Sequence, residues 1–128
     1  MPKKIILVDD SKTILATAEM ALEDLVNDGT ITLKTYLNPA ELRDLLISGG
    51  EDYDLLISDI NMPQLNGLDL ATELKQNDVF KNKPILILTT ESSAEMKVKG
   101  KKIGVTGWLV KPFSDEKLVK AMKMVLGL

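Results

Sequence analysis

Residues 5–11 read Ile5-Ile6-Leu7-Val8-Asp9-Asp10-Ser11: four apolar side chains that stop at two acids and a hydroxyl. A short run of this kind, rich in β-branched residues, marks a buried strand, here residues 4–8. Behind it Ile14, Leu15, Ala18, Leu22, Leu25 and Val26 recur at helical spacing. Ser11 is placed to cap that helix, and Asn27-Asp28-Gly29 to end it. The same pattern, an apolar run closed by a chemically active residue, returns three times. Residues 55–58 lead to Asp59, 85–88 to Thr89 and 108–110 to Lys111.

Working outward, strands are predicted at 4–8, 31–36, 53–58, 85–88 (opened by Pro84) and 106–110. The second helix starts at Asn38-Pro39, with Glu41 in its first turn, and stops at Gly49-Gly50; Leu42, Leu45 and Leu46 form its apolar face. After a loop over 61–66 and Gly67 as a turn residue, Leu70, Ala71 and Leu74 mark the third. The fourth opens at Ser92-Ser93 and closes at Gly104. The last is capped by Ser114, with Asp115 and Glu116 favourable to its dipole and Leu118, Ala121, Met122 and Val125 as its buried stripe. Strict β–α alternation with continuous apolar strands means an α/β fold, a doubly wound five-stranded parallel sheet covered on both faces. Right-handed crossovers leave few ways to connect it. Ligands of such sheets bind beyond the carboxyl ends of the strands, so the four strand-end positions are expected to converge.

The 128 residues fit one domain, 1–128, large enough to bury most of its apolar surface without a covalent staple. The chain has no cysteine and no histidine. That excludes disulfides, thiolate or imidazole zinc sites, and Ser-His-Asp catalysis. No apolar run approaches the length of a membrane span, and the run after Met1-Pro2-Lys3-Lys4 is too short for a signal peptide. The net charge of −3 argues against bulk nucleic-acid binding. A soluble cytoplasmic domain is expected, without nucleic acid or membrane as partner.

Three carboxylates at neighbouring strand ends repel one another and are expected to raise one another's pKa. Lys111 supplies part of the compensation and a divalent cation the rest. Oxygen donors alone suit Mg²⁺, which keeps waters and shares its shell with phosphate oxygens. Phosphoryl transfer needs neutralisation of the equatorial oxygens: the metal serves one, the Lys111 ammonium another, and the Thr89 hydroxyl donates to a third. Asp59 is then the nucleophile of an aspartyl phosphate. Pro112 restricts how Lys111 points.

These blocks resemble a known family. Residues 6–11, Asp59-Ile60-Asn61-Met62-Pro63 with Gly67, Leu88-Thr89-Thr90-Glu91, and residues 107–113 look like the receiver domain of two-component response regulators, and within it the single-domain chemotaxis regulators. The resemblance spans the whole chain. It implies a flavodoxin-like sheet of order 2-1-3-4-5 and a phosphoacceptor rather than an enzyme, with only autophosphorylation and autodephosphorylation of its own. It implies Mg²⁺ held by Asp9, Asp10, Asp59 and the Asn61 carbonyl, with phosphoryl oxygens bound by Thr89 and Lys111. It further implies a switch pair of Thr89 and Trp108, a cis bond at Lys111-Pro112, and an output face made of the fourth helix, fifth strand and last helix. The partners it implies are a sensor histidine kinase of the chemotaxis type, a flagellar motor switch protein or another output protein, and a phosphatase, with the chain a monomer.

Two positions qualify the match, and two others support it. Trp108 stands where Tyr or Phe is commoner, so its larger ring is expected to bury less completely. Thr90 adds bulk beside the phosphoryl pocket. Asn61 and Glu91 follow the chemotaxis-type pattern. The fourth helix carries Lys97, Lys99, Lys101 and Lys102 around an interior Gly100, which costs about 1 kcal/mol against alanine, so it is expected to be marginal and movable. With Lys117, Lys120 and Lys123 on the last helix it forms a basic face suited to an acidic or amphipathic segment. Without an output domain, action through a bound partner is expected, in motor control or, alternatively, in a phosphorelay or stand-alone role outside chemotaxis. Two rivals compete. An aspartate-nucleophile phosphatase wants an acid two residues after the nucleophile, where this chain has Asn61. A flavin or nucleotide carrier wants a glycine-rich phosphate loop, which no strand precedes here.

Overall fold

The computed structural model describes residues 2–128. The elements run β1 (Lys3–Val8), α1 (Lys12–Ala21), α2 (Glu23–Asn27), β2 (Ile31–Tyr36), α3 (Pro39–Ser48), β3 (Leu55–Ser58), α4 (Gly67–Lys75), β4 (Ile85–Thr89), α5 (Ala94–Ile103), β5 (Gly107–Val110) and α6 (Asp115–Leu126). All strand pairings are parallel, in the order β2-β1-β3-β4-β5.

The period of two in a strand explains why β1, β3 and β4 read as unbroken apolar runs: alternate residues enter opposite layers. Ile6, Val8, Leu56, Ile85 and Ile87 pack with Leu42 and Leu46 of α3 and Leu68, Leu70 and Leu74 of α4. Ile5, Leu7, Leu55, Ile57, Leu86 and Leu88 pack with Leu15 and Ala18 of α1 and Leu118 and Met122 of α6. Four of the helices start on the caps the sequence offers, Ser11, Asn38, Ser93 and Ser114, each side chain accepting a first-turn N–H.

Four expectations are corrected. The first helix is two: Leu22 has φ −101° and ψ 1°, which redirects the chain. As a result Val26, placed on the buried stripe, is 39% exposed. The third strand is shorter than residues 53–58, because pairing with β1 begins at Leu55. Tyr53 nonetheless lies wholly inside, its ring stacked on Phe80 at 5.0 Å. The fifth strand begins at Gly107 rather than 106. Gly67 is not a turn residue but the first residue of α4, capped by the Asn66 side chain, which accepts from Leu68 and Asp69 N–H.

Candidate functional site

Strand register builds the site. Val8 pairs with Ser58 and Ser58 with Ile87, so Asp9 and Asp59 leave the sheet side by side, Asp59 N–H donating to the Val8 carbonyl at 3.2 Å. Thr89 pairs with Val110, and Lys111 N–H donates to the Thr89 carbonyl at 2.8 Å. Strand ends far apart in sequence therefore meet at one edge, as expected of an open parallel sheet.

There the Lys111 ammonium bridges the two buried acids, 2.7 Å from Asp9 Oδ2 and 3.2 Å from Asp59 Oδ2. Their other oxygens accept backbone N–H groups: Asp9 Oδ1 from Ser11 at 2.9 Å and Asp59 Oδ1 from Ile60 at 2.7 Å. Both carboxylates are thus fixed in direction. Asp10 is exposed, yet one oxygen from each of Asp9, Asp10 and Asp59 lies within 4.8 Å of the other two. The donor set, all oxygen and acidic, fits a hard divalent cation.

Burial is the largest influence on Asp9 and pushes its carboxyl above the ordinary value of 3.8, against the Lys111 and Ser11 hydrogen bonds that favour the charged form. The Asp59 charge acts in the same direction as burial but is the smallest of these influences. Mutual repulsion, the expected cause, is therefore secondary to desolvation at Asp9.

The remaining candidates surround this centre. Thr89 is fully buried, and its hydroxyl accepts from Glu91 N–H at 3.3 Å; among the described residues that hydroxyl makes no bond to Asp59 or Lys111. The exposed Asn61 side chain donates to Glu91 Oε1 at 3.2 Å, while its backbone carbonyl accepts no hydrogen bond among the described residues. Thr90 is exposed. Trp108 is half-buried, as its size suggested, and its indole N–H donates to the Glu91 carbonyl at 2.9 Å. The Lys111-Pro112 bond is cis.

The supporting role of two residues escaped the sequence reading. The Ser58 hydroxyl donates to the Asp59 carbonyl at 2.8 Å. Gly67 lies so close that a Cβ there would sit 1.8 Å from the same carbonyl oxygen. Only glycine lets α4 begin against the backbone of Asp59. Its fixed offset from Asp59 was visible; the close approach was not.

Residues 5–123 match the family described as response regulator receiver domain. The chain is 33% identical, over 97% of its own length and 92% of the other's, to a chemotaxis protein CheY homolog of Campylobacter jejuni. It is 36% identical to the structure of Vibrio cholerae chemotaxis protein CheY4, with a TM-score of 0.86 over 98% of this chain and 100% of that one. It also matches, at 30% identity, 15% of the length of the sensor histidine kinase CheAY of Helicobacter pylori.

Proposed function

This chain belongs to the response regulator receiver family, and on that premise we propose that it is a phosphoacceptor switch whose acceptor is Asp59. The observation that carries the reading is the Lys111 ammonium held between Asp9 and Asp59 at the strand ends, with Asp10 alongside. An Asp59 oxygen bonds to phosphorus as the P–N bond of a kinase phosphohistidine breaks. The electron pair of that bond leaves on the imidazole, which takes up a proton.

Lys111 neutralises one phosphoryl oxygen and Thr89 donates to another, giving up its present role as acceptor from Glu91. Asp9, Asp10, Asp59 and the Asn61 carbonyl would hold Mg²⁺, which when bound supplies the remaining charge neutralisation. Asn61, neutral and two residues past the acceptor, supports a slow phosphoacceptor over a phosphatase, because an amide cannot relay a proton. Glu91, bonded to Thr89, Asn61 and Trp108, is suited to pass the change on to α5, β5 and α6. The resemblance to chemotaxis regulators supports a CheA-like sensor kinase as donor, a motor switch protein as target and a phosphatase to reset the state, all in the cytoplasm.

Incubation with acetyl phosphate and Mg²⁺ should give one acid-stable, base-labile adduct at Asp59. Labelling that survives Asp59→Asn, or proceeds normally in EDTA, would overturn this. Capture of the output partner should strengthen with beryllofluoride, a phosphoryl mimic.

A further inference from the structure

Gly100 is the only buried residue of α5, and the reason is the ring beneath it. A Cβ at this position would lie 2.8 Å from Trp108 Cζ3, 3.4 Å from Trp108 Cε3 and 3.1 Å from Val105 Cγ2. The first distance is shorter than real Cβ atoms tolerate, and the atom met belongs to a rigid ring rather than to the tip of a flexible chain. At its other edge the same indole donates to the Glu91 carbonyl at 2.9 Å. Trp108 is thus held between the middle of α5 and the rim of the acidic site. An interior helix glycine normally weakens its helix, and here it leaves room for an indole.

We propose that Gly100 is a positioning residue for the phosphoryl site: its missing side chain seats Trp108 so that the indole N–H holds Glu91, and Glu91 in turn holds Asn61. The proposal deepens the receiver reading and rests on it. It is specific to this pairing. Cε3 and Cζ3 are benzo-ring atoms that a phenyl ring lacks, and Cζ3 is the one atom met under 3.0 Å, so the larger part of the steric demand for glycine at 100 comes from tryptophan at 108, with Val105 Cγ2 at 3.1 Å adding a smaller one. Adding a methyl group at 100 expels the indole, breaks its bond to Glu91 and loosens the Glu91–Asn61 pair beside the acceptor.

The test is a double-variant cycle on the full chain: Gly100→Ala, Trp108→Phe and both together. Each protein is labelled with acetyl phosphate and Mg²⁺, and the lifetime of the aspartyl phosphate and Tm are recorded. Trp108 emission and acrylamide quenching are read in the two proteins that keep the ring. Gly100→Ala should shift emission to the red, raise quenching and shorten the lifetime about two- to tenfold, the factor one lost net hydrogen bond represents. On the Trp108→Phe background the same substitution should leave the lifetime unchanged and remove or reverse the loss in Tm, since helices favour alanine over glycine.

An unchanged or lengthened lifetime in Gly100→Ala, unchanged emission, or the same lifetime change on both backgrounds overturns the proposal. If Gly100→Ala alone does not fold, the double variant decides. Folding with the lifetime of Trp108→Phe supports the seat, and failure to fold overturns it. If no protein of the set takes up phosphate, the receiver reading fails, while the emission and Tm cycle still decides whether Gly100 seats the ring.

Discussion

Helices α4 and α5 flank the same face of the sheet and are held in unlike ways. α4 buries Gly67, Leu68, Leu70, Ala71 and Leu74 and begins against the backbone of Asp59. α5 buries Gly100 alone, leans Met96 and Ile103 on the core, and turns four lysines and Val98 to solvent. Three buried leucines on α4 contribute roughly 5–9 kcal/mol of apolar burial as an upper estimate, and α5 has no comparable anchor. Asp59, the proposed acceptor, is therefore built on the half of the molecule that resists movement, and the expected output face includes, in α5, the element that yields. A switch needs both: rigid placement of reacting groups, and an element whose two positions differ little in free energy.

The sharpest way to break this contrast is to truncate one side chain on each helix. Leu70→Ala should cost about 2–5 kcal/mol, the range for a fully buried leucine whose cavity collapses only in part. Val98→Ala, at a side chain 52% exposed, should stay within about 0.5 kcal/mol. Urea unfolding measures both. A Val98→Ala loss equal to that of Leu70→Ala would mean that α5 is anchored as firmly as α4.

Next in size is Gly67→Ala. With no room beside the Asp59 carbonyl, α4 or the acceptor backbone has to retreat, at about 1–3 kcal/mol or more. Because the displaced group is the backbone of Asp59, the proposed acceptor, labelling by acetyl phosphate should slow in the same variant. A stable Gly67→Ala protein that labels at the parent rate would show that the approach of α4 does not govern Asp59.

Hydrogen exchange then sharpens the contrast without substitution. Amides of α5 should exchange through local opening, and those of α4 only with global unfolding. Beryllofluoride with Mg²⁺ should change protection in α5 and β5 and leave α4 as it was. A uniform change across both helices would remove the division of labour.

Particular residues show what the sequence could and could not tell. Asp9, Asp59, Thr89 and Lys111 were legible because a strand end is a local signal and an open parallel sheet gathers strand ends at one edge. The caps at Ser11, Asn38, Ser93 and Ser114 were legible for the same reason. Leu22 was not: nothing in its neighbours marks the turn that carries Val26 to the surface. Gly67 and Gly100 read as punctuation and as weakness, because the atoms that require them, the Asp59 carbonyl and the Trp108 ring, are supplied by tertiary packing. Tyr53 read as a strand residue, yet it stacks on Phe80; its hydroxyl has no hydrogen-bond partner among the described residues, and burial pushes its pKa upward.

The smallest expected effect lies in the rigid half and is read from pH. Burial raises the Asp9 pKa above its ordinary value, so at pH values between the two the folded chain binds more protons than the unfolded chain. The Asp9 contribution to stability therefore falls as pH rises through that window, and ionised Asp9 is a burden on the metal-free protein at neutral pH. Asp52 and Glu51 act in the opposite sense. The Lys83 hydrogen bond lowers Asp52; at Glu51 burial works upward, but bonds from Tyr36, the Asp52 N–H and Lys34 outweigh it. Their contributions are present above the ordinary carboxylate range and are lost as pH falls through their lowered values. Without metal, Asp9→Asn should raise Tm at pH 7 by a few degrees at most, at about 4 °C per kcal/mol, and should abolish the gain that mild acidification brings the parent. Glu51→Gln should flatten only the steeper loss at lower pH. Mg²⁺ should stabilise the parent by linkage and should stabilise Asp9→Asn less. A metal-free Asp9→Asn protein that melts below the parent at pH 7 would mean that the Lys111 and Ser11 bonds outweigh burial. The acidic cluster would then be a stabilising part of the rigid half even before a cation arrives.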